Sequence, residues 1–96
     1  MKLVVLMMIR RDVIYTGRVQ GVGFRWTTNH IAKDFDVVGT VENRNDGTVY
    51  MVVEGLEREV DAFMKEIGNR MALNVKDTEI RQGFALGNLD DFHVNY

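Results

Sequence analysis

The sequence GRVQGVGFR, residues 17–25, separates a strand-like segment from a helix-like segment. The first N–H groups of a helix have no intrahelical acceptor and lie at the positive end of the helix dipole, so they can bind an anion through the main chain alone. Gly21 and Gly23 give the loop its backbone freedom. Arg25 adds a cationic fork near the start of the helix. The segment therefore predicts an anion site between a strand and a helix.

The periodicity of apolar residues predicts the elements on either side of this loop. Residues 12–19 alternate, with Val13, Tyr15 and Val19 on one parity, as in a half-buried strand. Residues 24–35 place their apolar positions at helical spacing. The predicted helix has one apolar side and begins at the glycine loop.

A hairpin and a second helix follow. The pair Asp46-Gly47 lies between two β-rich runs, residues 37–43 and 48–54, and predicts a hairpin with Asn43 where its first strand meets the turn. Helical spacing resumes over roughly residues 57–67 and ends at Gly68 and Asn69. Residues 75–84 form a weaker strand candidate, and residues 92–96 alternate as a last strand.

The predicted order is β, α, β, β, α, β and a final β. A split βαβ arrangement, with both helices on one face of an antiparallel sheet, buries two amphipathic helices economically. The 96 residues suit one domain with one core. The expected class is therefore α+β.

Composition excludes several kinds of site. The chain has no cysteine, which rules out disulfides, thiolate nucleophiles and cysteine metal ligands. His30 and His93 fall on different predicted elements, so we expect no metal site. The formal charge of -2 gives no general attraction to nucleic acid or to an anionic membrane.

Two common phosphate motifs also fit poorly. A P-loop needs Lys-Ser or Lys-Thr after its last glycine, whereas Gly23 precedes Phe24 and Arg25. A dinucleotide fingerprint needs glycine at the position of Trp26. Anion binding at this loop would therefore follow another pattern.

The first ten residues are a variable N-terminal extension or a strand lead-in. Lys2 and the apolar run 3–9 faintly resemble a secretion signal, but Arg10, Arg11 and Asp12 stand where a cleavage site of small residues would be. The run is too short to span a bilayer. The expected location is the cytoplasm.

Three segments in order resemble the acylphosphatase family, small enzymes that hydrolyse carboxyl-phosphate anhydrides. They are residues 17–25, residues 39–43 with 46–49, and residues 91–96. The resemblance covers residues 11–96 and implies a ferredoxin-like sandwich, an acyl phosphate substrate, no cofactor or metal, and a monomer. It implies that Arg25 binds phosphate and that Asn43 positions water. The implied backbone cradle comprises Gln20, Gly21, Val22, Gly23, Phe24 and Arg25.

The residue types suit this chemistry. The leaving group is a carboxylate, whose conjugate acid has a pKa near 4 in model compounds, so no general acid is needed at neutral pH. The protein must hold the phosphoryl dianion and place a water in line. The neutral amide of Asn43 can accept from water without repelling the dianion. The water's proton could pass to a phosphoryl oxygen.

Two positions depart from the family pattern. Thr40 replaces the usual aromatic residue after Gly39, which affects a packing contact behind the site. Glu42 stands where the family often has a basic or neutral residue. Its strand parity is opposite to that of Asn43, so we expect Glu42 to point away from the site.

Three other functions remain open. The loop could belong to a phosphate- or anion-binding module without turnover. The fold could be an RNA-binding module, although such modules carry exposed aromatics on central strands and usually a basic face. The related domain of a hydrogenase-maturation carbamoyl transferase would be followed by zinc-finger cysteines, and this sequence has none.

Overall fold

The computed structural model describes residues 7–96. Within them the elements follow the predicted order. They are β1 (Met8–Gly17), α1 (Phe24–Ala32), β2 (Val37–Asn43), β3 (Val49–Leu56), α2 (Glu57–Arg70), β4 (Val75–Phe84) and β5 (Phe92–Val94).

The strands form one five-stranded sheet in the order β4-β1-β3-β2-β5. The three pairings among β1 to β4 are antiparallel, and β5 joins β2 in parallel. Both helices pack on one face of the sheet, so the ferredoxin-like α+β fold is confirmed. The parallel final strand makes the sheet mostly, rather than wholly, antiparallel.

The core lies between that face and the helices. Alternate positions of β1, β2 and β3 point into it, because successive side chains of a strand point to opposite faces. The helices contribute one apolar side each. The main core residues are Val13, Tyr15, Val41, Val49, Met51 and Val53 from the strands, and Phe24, Ile31, Val60, Phe63 and Ile67 from the helices.

The predicted boundaries differ from the observed ones where pairing decides them. Strand β1 begins at Met8 and ends at Gly17, whereas the alternation predicted residues 12–19. Its pairing with β3 continues to Met8 opposite Leu56, which the apolar pattern alone does not reveal. Residues 8–10 of the N-terminal segment therefore belong to a strand. Residues 1–6 lie outside the described residues, and the boundary at residue 11 stays a prediction.

The helices also differ in length from the prediction. Helix α1 ends at Ala32 instead of residue 35, because the N–H groups of residues 33–35 each donate to a carbonyl three residues back. Helix α2 continues to Arg70 instead of residue 67. Strand β3 spans residues 49–56, close to the predicted 48–54.

The connection from β4 to β5 crosses the helix-free face of the sheet. Glu54 on β3 is only 2% exposed, and its carboxylate accepts hydrogen bonds from the N–H groups of Leu86 and Gly87, both at 3.1 Å. Arg10 on β1 approaches the same carboxylate at 3.3 Å. The buried carboxylate thus fixes a connection that must travel from one edge of the sheet to the other.

A second polar cluster lies beside it. Arg10 donates to Asp12 at 2.8 Å, and the Tyr50 hydroxyl also donates to Asp12. Burial opposes ionisation of Asp12, but the hydrogen bonds from Arg10 and Tyr50 outweigh it and hold its pKa below the usual value. This pairing stabilises the fold at neutral pH, and its contribution is lost as the pH falls through the lowered pKa.

Gly39 allows β2 and β3 to pack closely beside β5. A Cβ at this position would lie 1.9 Å from the Val52 carbonyl oxygen and 3.0 Å from the Phe92 ring. The N–H of Gly39 donates to the Asp91 carbonyl at 2.9 Å, at the start of β5. The close packing of β2, β3 and β5 at this end of the sheet therefore requires a residue without a side chain at position 39.

We expect Gly39→Ala to lower the free energy of unfolding by at least about 2 kcal/mol, because the added methyl overlaps backbone. Gly68→Ala is the matched control, since a Cβ there meets nothing within 4 Å. It lies in α2 and should raise the free energy by about 0.5 kcal/mol through helix propensity. Urea unfolding followed by circular dichroism measures both. Equal stability of the two variants would contradict the close approach.

Candidate active site

The loop between β1 and α1 has the backbone form that an anion cradle needs. Gly21 and Gly23 have φ of 74° and 79°, in the left-handed region that favours glycine. Within the described residues, the N–H groups of residues 20–23 donate to no protein acceptor. The first N–H groups of α1 follow directly, and they have no intrahelical acceptor. A continuous run of unpaired backbone donors results.

The N terminus of α1 is left electrostatically uncompensated. Gly23 is its N-cap, no side chain caps it, and its first turn holds no acidic residue. Helix α2, by contrast, carries Glu57 and Glu59 in its first turn, as the helix dipole favours. The positive end of α1 is therefore available to an external anion.

A cavity of about 220 Å³ opens over this loop and suits a small ligand. Its wall combines the loop, the first turns of α1, the end of β2 and the chain at and beyond β5. Among the described residues no Asp or Glu side chain lines it, which favours an anionic occupant. The lining residues are Val19, Gly21, Gly23, Phe24, Arg25, Trp26, Asn29, Asn43, Val94 and Tyr96.

Arg25 is the charged side chain of this wall at neutral pH. It is the second residue of α1, and its guanidinium carbon lies 5.2 Å from the centroid of the Tyr96 ring. Within residues 7–96 it forms no salt bridge and donates no side-chain hydrogen bond. Its donors can therefore serve a ligand in the cavity.

Asn43 ends β2 and lines the cavity opposite the loop. Its Oδ1 atom is buried and has no hydrogen-bond partner among the described residues. An unpaired buried acceptor costs free energy, so a water or ligand that donates to it would be bound favourably. The geometry gives Asn43 the acceptor that water positioning requires.

Gln20 connects the two halves of the site through its side chain. Its Nε2 atom donates to the carbonyl of Arg44 at 2.7 Å and to that of Thr48 at 2.9 Å. Both carbonyls belong to the turn that follows Asn43. The side chain thus fixes the cradle relative to the hairpin, a role that the sequence did not predict.

The structure brings most of the predicted site residues together. Gly21, Gly23, Phe24, Arg25 and Asn43 all line the cavity. The side chain of Val22 is exposed and, like that of Gln20, does not line it. These two residues contribute backbone N–H groups to the loop.

Five lining residues, among them the exposed Trp26 on α1, were not among the predicted site residues. Asn29 lies one helical turn after Arg25, so the spacing i, i+4 could have indicated it. Val19 is the last residue of the predicted first strand. Val94 and Tyr96 reach the cavity through the pairing of β5 with β2, for which the sequence gives no local signal.

The two departures from the family pattern lie on the other face of β2. Thr40 and Glu42 alternate with the core-facing Val41, as strand parity predicts. The Glu42 carboxylate accepts a hydrogen bond from Asn95 at 3.1 Å and does not line the cavity. Its negative charge is thus directed away from the anion site.

The histidines take no part in the cavity wall. His30 stacks on Trp26, and His93 contacts Asp91 at 2.8 Å. In residues 7–96 no group of three His, Asp or Glu side chains could hold a metal ion. No helix in this part of the chain is long and apolar enough to cross a membrane.

Comparison with known protein sequences matches the chain to acylphosphatases. A sequence model of the acylphosphatase family matches residues 11–94. The chain is 36% identical to the acylphosphatase of Bacillus licheniformis over 90 residues, covering 93% of this chain and all of the relative. It is 54% identical to the acylphosphatase of Lactobacillus gasseri over 52 residues, which cover 54% of this chain and 57% of that relative.

A solved structure agrees with the sequence comparisons. The crystal structure of acylphosphatase from Bacillus subtilis superimposes with a TM-score of 0.82 at 30% identity, covering 92% of this chain and 99% of that chain. Fold and site define a small ferredoxin-like domain with a backbone anion cradle. The chain belongs to the acylphosphatase family, which confirms the resemblance of its three segments.

We expect Gly23→Ala to weaken the binding of inorganic phosphate, because a Cβ at this φ is strained and would redirect the loop amides. Gly47→Ala is the matched control: Gly47 also has a positive φ, and a Cβ at either position meets nothing within 4 Å. Calorimetric titration with phosphate measures both. Equal affinity in the two variants would contradict the role of the loop.

Proposed function

We propose that this protein hydrolyses acyl phosphates to carboxylate and inorganic phosphate through in-line attack of a positioned water. The observation that carries the proposal is the convergence of three features on one cavity. They are the uncapped N terminus of α1, the guanidinium of Arg25 and the unpaired Oδ1 of Asn43. Family membership supports the same activity.

Binding of the phosphoryl group is the task of the loop and Arg25. The backbone N–H groups of residues 20–25 donate to its oxygens, while Arg25 offers a bidentate fork. Charge-assisted hydrogen bonds of this kind contribute roughly 1.5–3 kcal/mol each. The same donors stabilise the charge that redistributes over the equatorial oxygens during transfer.

The departing carboxylate needs no proton at neutral pH. This agrees with the cavity wall, which has no Asp, Glu or His side chain among the described residues. The reaction therefore needs groups that bind the phosphoryl group and place the water, and it needs no general acid.

Asn43 orients the attacking water by accepting a hydrogen bond at Oδ1. The amide adds no negative charge beside the dianion. As the water attacks phosphorus and the bond to the acyl oxygen breaks, its proton passes to a phosphoryl oxygen. The products are the free carboxylate and inorganic phosphate.

We further propose that the protein acts as a monomer in the cytoplasm. All ten residues of the cavity wall come from one chain, so a single copy can hold the substrate. Gel filtration with light scattering would test the first part, since a stable dimer contradicts it. Fractionation of the native cells would test the second.

Replacement of Arg25 or Asn43 by alanine should lower kcat/KM for benzoyl phosphate by about 100-fold or more, since each removes a well-placed transition-state interaction. Arg25→Lys should restore little, because an ammonium lacks the bidentate fork. Arg58→Ala and Asn69→Ala on α2 are matched controls, being exposed and outside the cavity wall. Steady-state hydrolysis measures all five.

Unchanged rates in both site variants would contradict the assigned roles. Phosphate binding by the wild type without hydrolysis of any acyl phosphate would instead favour a binding module. The two outcomes are distinct because the binding assay needs no turnover.

Proton transfer to the substrate predicts a shallow pH profile. Between pH 5 and 8 the rate should not rise tenfold per pH unit, because no hydroxide and no protein base is consumed. Initial rates of benzoyl phosphate hydrolysis, corrected for the spontaneous reaction, measure this. A slope of one in log rate against pH would contradict proton transfer from the water to the substrate.

A further inference from the structure

Two large aromatic side chains are exposed at the mouth of the cavity. Trp26 is 68% exposed and Tyr96 is 99% exposed, yet both line the same cavity as Arg25. Exposed apolar residues elsewhere, such as Leu73 and Phe84, have no part in this cavity. Aromatic surface that gathers beside a concave polar site points to a ligand with an apolar part.

The Trp26 ring is held in place from one side. It lies 4.8 Å from the His30 ring, centroid to centroid, at an interplanar angle of 9°. The two residues are one helical turn apart on α1, which is packed on the sheet through Phe24, Thr28 and Ile31. The indole is therefore presented by a fixed helix, and one of its faces is already stacked.

Tyr96 approaches the cavity from the chain beyond β5. Its ring lies beside the Arg25 guanidinium, which can hold it through a cation–π interaction. Val94, two residues earlier, adds an aliphatic surface to the same wall. The mouth of the cavity thus has aromatic and aliphatic side chains, whereas its inner wall has the Arg25 guanidinium and the loop amides.

We propose that Trp26 and Tyr96 form a subsite for the acyl group and favour acyl phosphates with an aromatic or extended apolar acyl group over acetyl phosphate. The inference rests on the proposed function, since a phosphoryl group seated on the loop amides must direct its acyl group through the mouth. An aromatic acyl group stacks on the exposed ring surface there, whereas an acetyl group is too small to cover it. Stacking of this kind predicts roughly a three- to tenfold difference.

The test uses substrates and non-hydrolysable analogues. Benzoyl and acetyl phosphate serve for kinetics, and benzoylphosphonate and acetylphosphonate for binding by calorimetry. Trp26 is the single tryptophan of the chain, so tryptophan fluorescence reports directly on its ring. The variants are Trp26→Ala, Tyr96→Ala and, as a matched exposed aromatic outside the cavity, Phe84→Ala.

We expect the wild type to bind benzoylphosphonate about three- to tenfold more tightly than acetylphosphonate, with a change in tryptophan fluorescence for the first. Trp26→Ala should remove most of this preference and raise KM for benzoyl phosphate, while KM for acetyl phosphate stays unchanged. Tyr96→Phe should keep the preference that Tyr96→Ala reduces. Phe84→Ala should behave as the wild type.

Equal affinity of the wild type for the two phosphonates would overturn the subsite, as would a preference that survives in both alanine variants. A loss that affects both acyl groups equally would show a structural effect instead. Failure of the proposed function would give a different result, because neither acyl phosphate would be hydrolysed. The affinities for the two phosphonates would still be measurable and would test the subsite separately.

Discussion

The contact between Phe24 and Tyr15 fixes where α1 begins relative to β1. Their ring centroids lie 4.9 Å apart, and Phe24, the first residue of the helix, is only 2% exposed. Because this residue must be buried against the sheet, the chain has only residues 18–23 in which to turn from strand to helix. Left-handed glycines at positions 21 and 23 make that short turn possible. The orientation of the loop amides follows from this packing.

The site leaves polar groups unsatisfied that could otherwise stabilise the fold, and the two helices differ in this respect. A capping side chain at the start of α1 would stabilise the helix by about 1 kcal/mol, but it would occupy the donors that face the cavity. Helix α2 has acidic residues in its first turn, whereas α1 has none. The unpaired acceptor of Asn43 is a second cost at the same place. Both unsatisfied groups are complementary to a phosphoryl group and a water.

The far wall of the site depends on contacts that cross the sheet. Glu54 fixes the connection over the helix-free face, and the absence of a side chain at Gly39 lets β5 lie against β2. Only then do Val94 and Tyr96 reach the cavity. The Gln20 side chain donates to two carbonyls of the turn after Asn43, which connects the glycine loop to the end of β2.

Features set by neighbouring residues could be predicted from the sequence. The glycine loop, the hairpin turn at Asp46-Gly47 and the parity of Asn43 and Glu42 depend on local backbone preferences and on the two-residue repeat of a strand. The start of β1 at Met8, the parallel pairing of β5 and the approach of Tyr96 to Arg25 could not be predicted in this way. Each depends on a pairing between residues far apart in the chain, and only the packed sheet decides which distant partners meet.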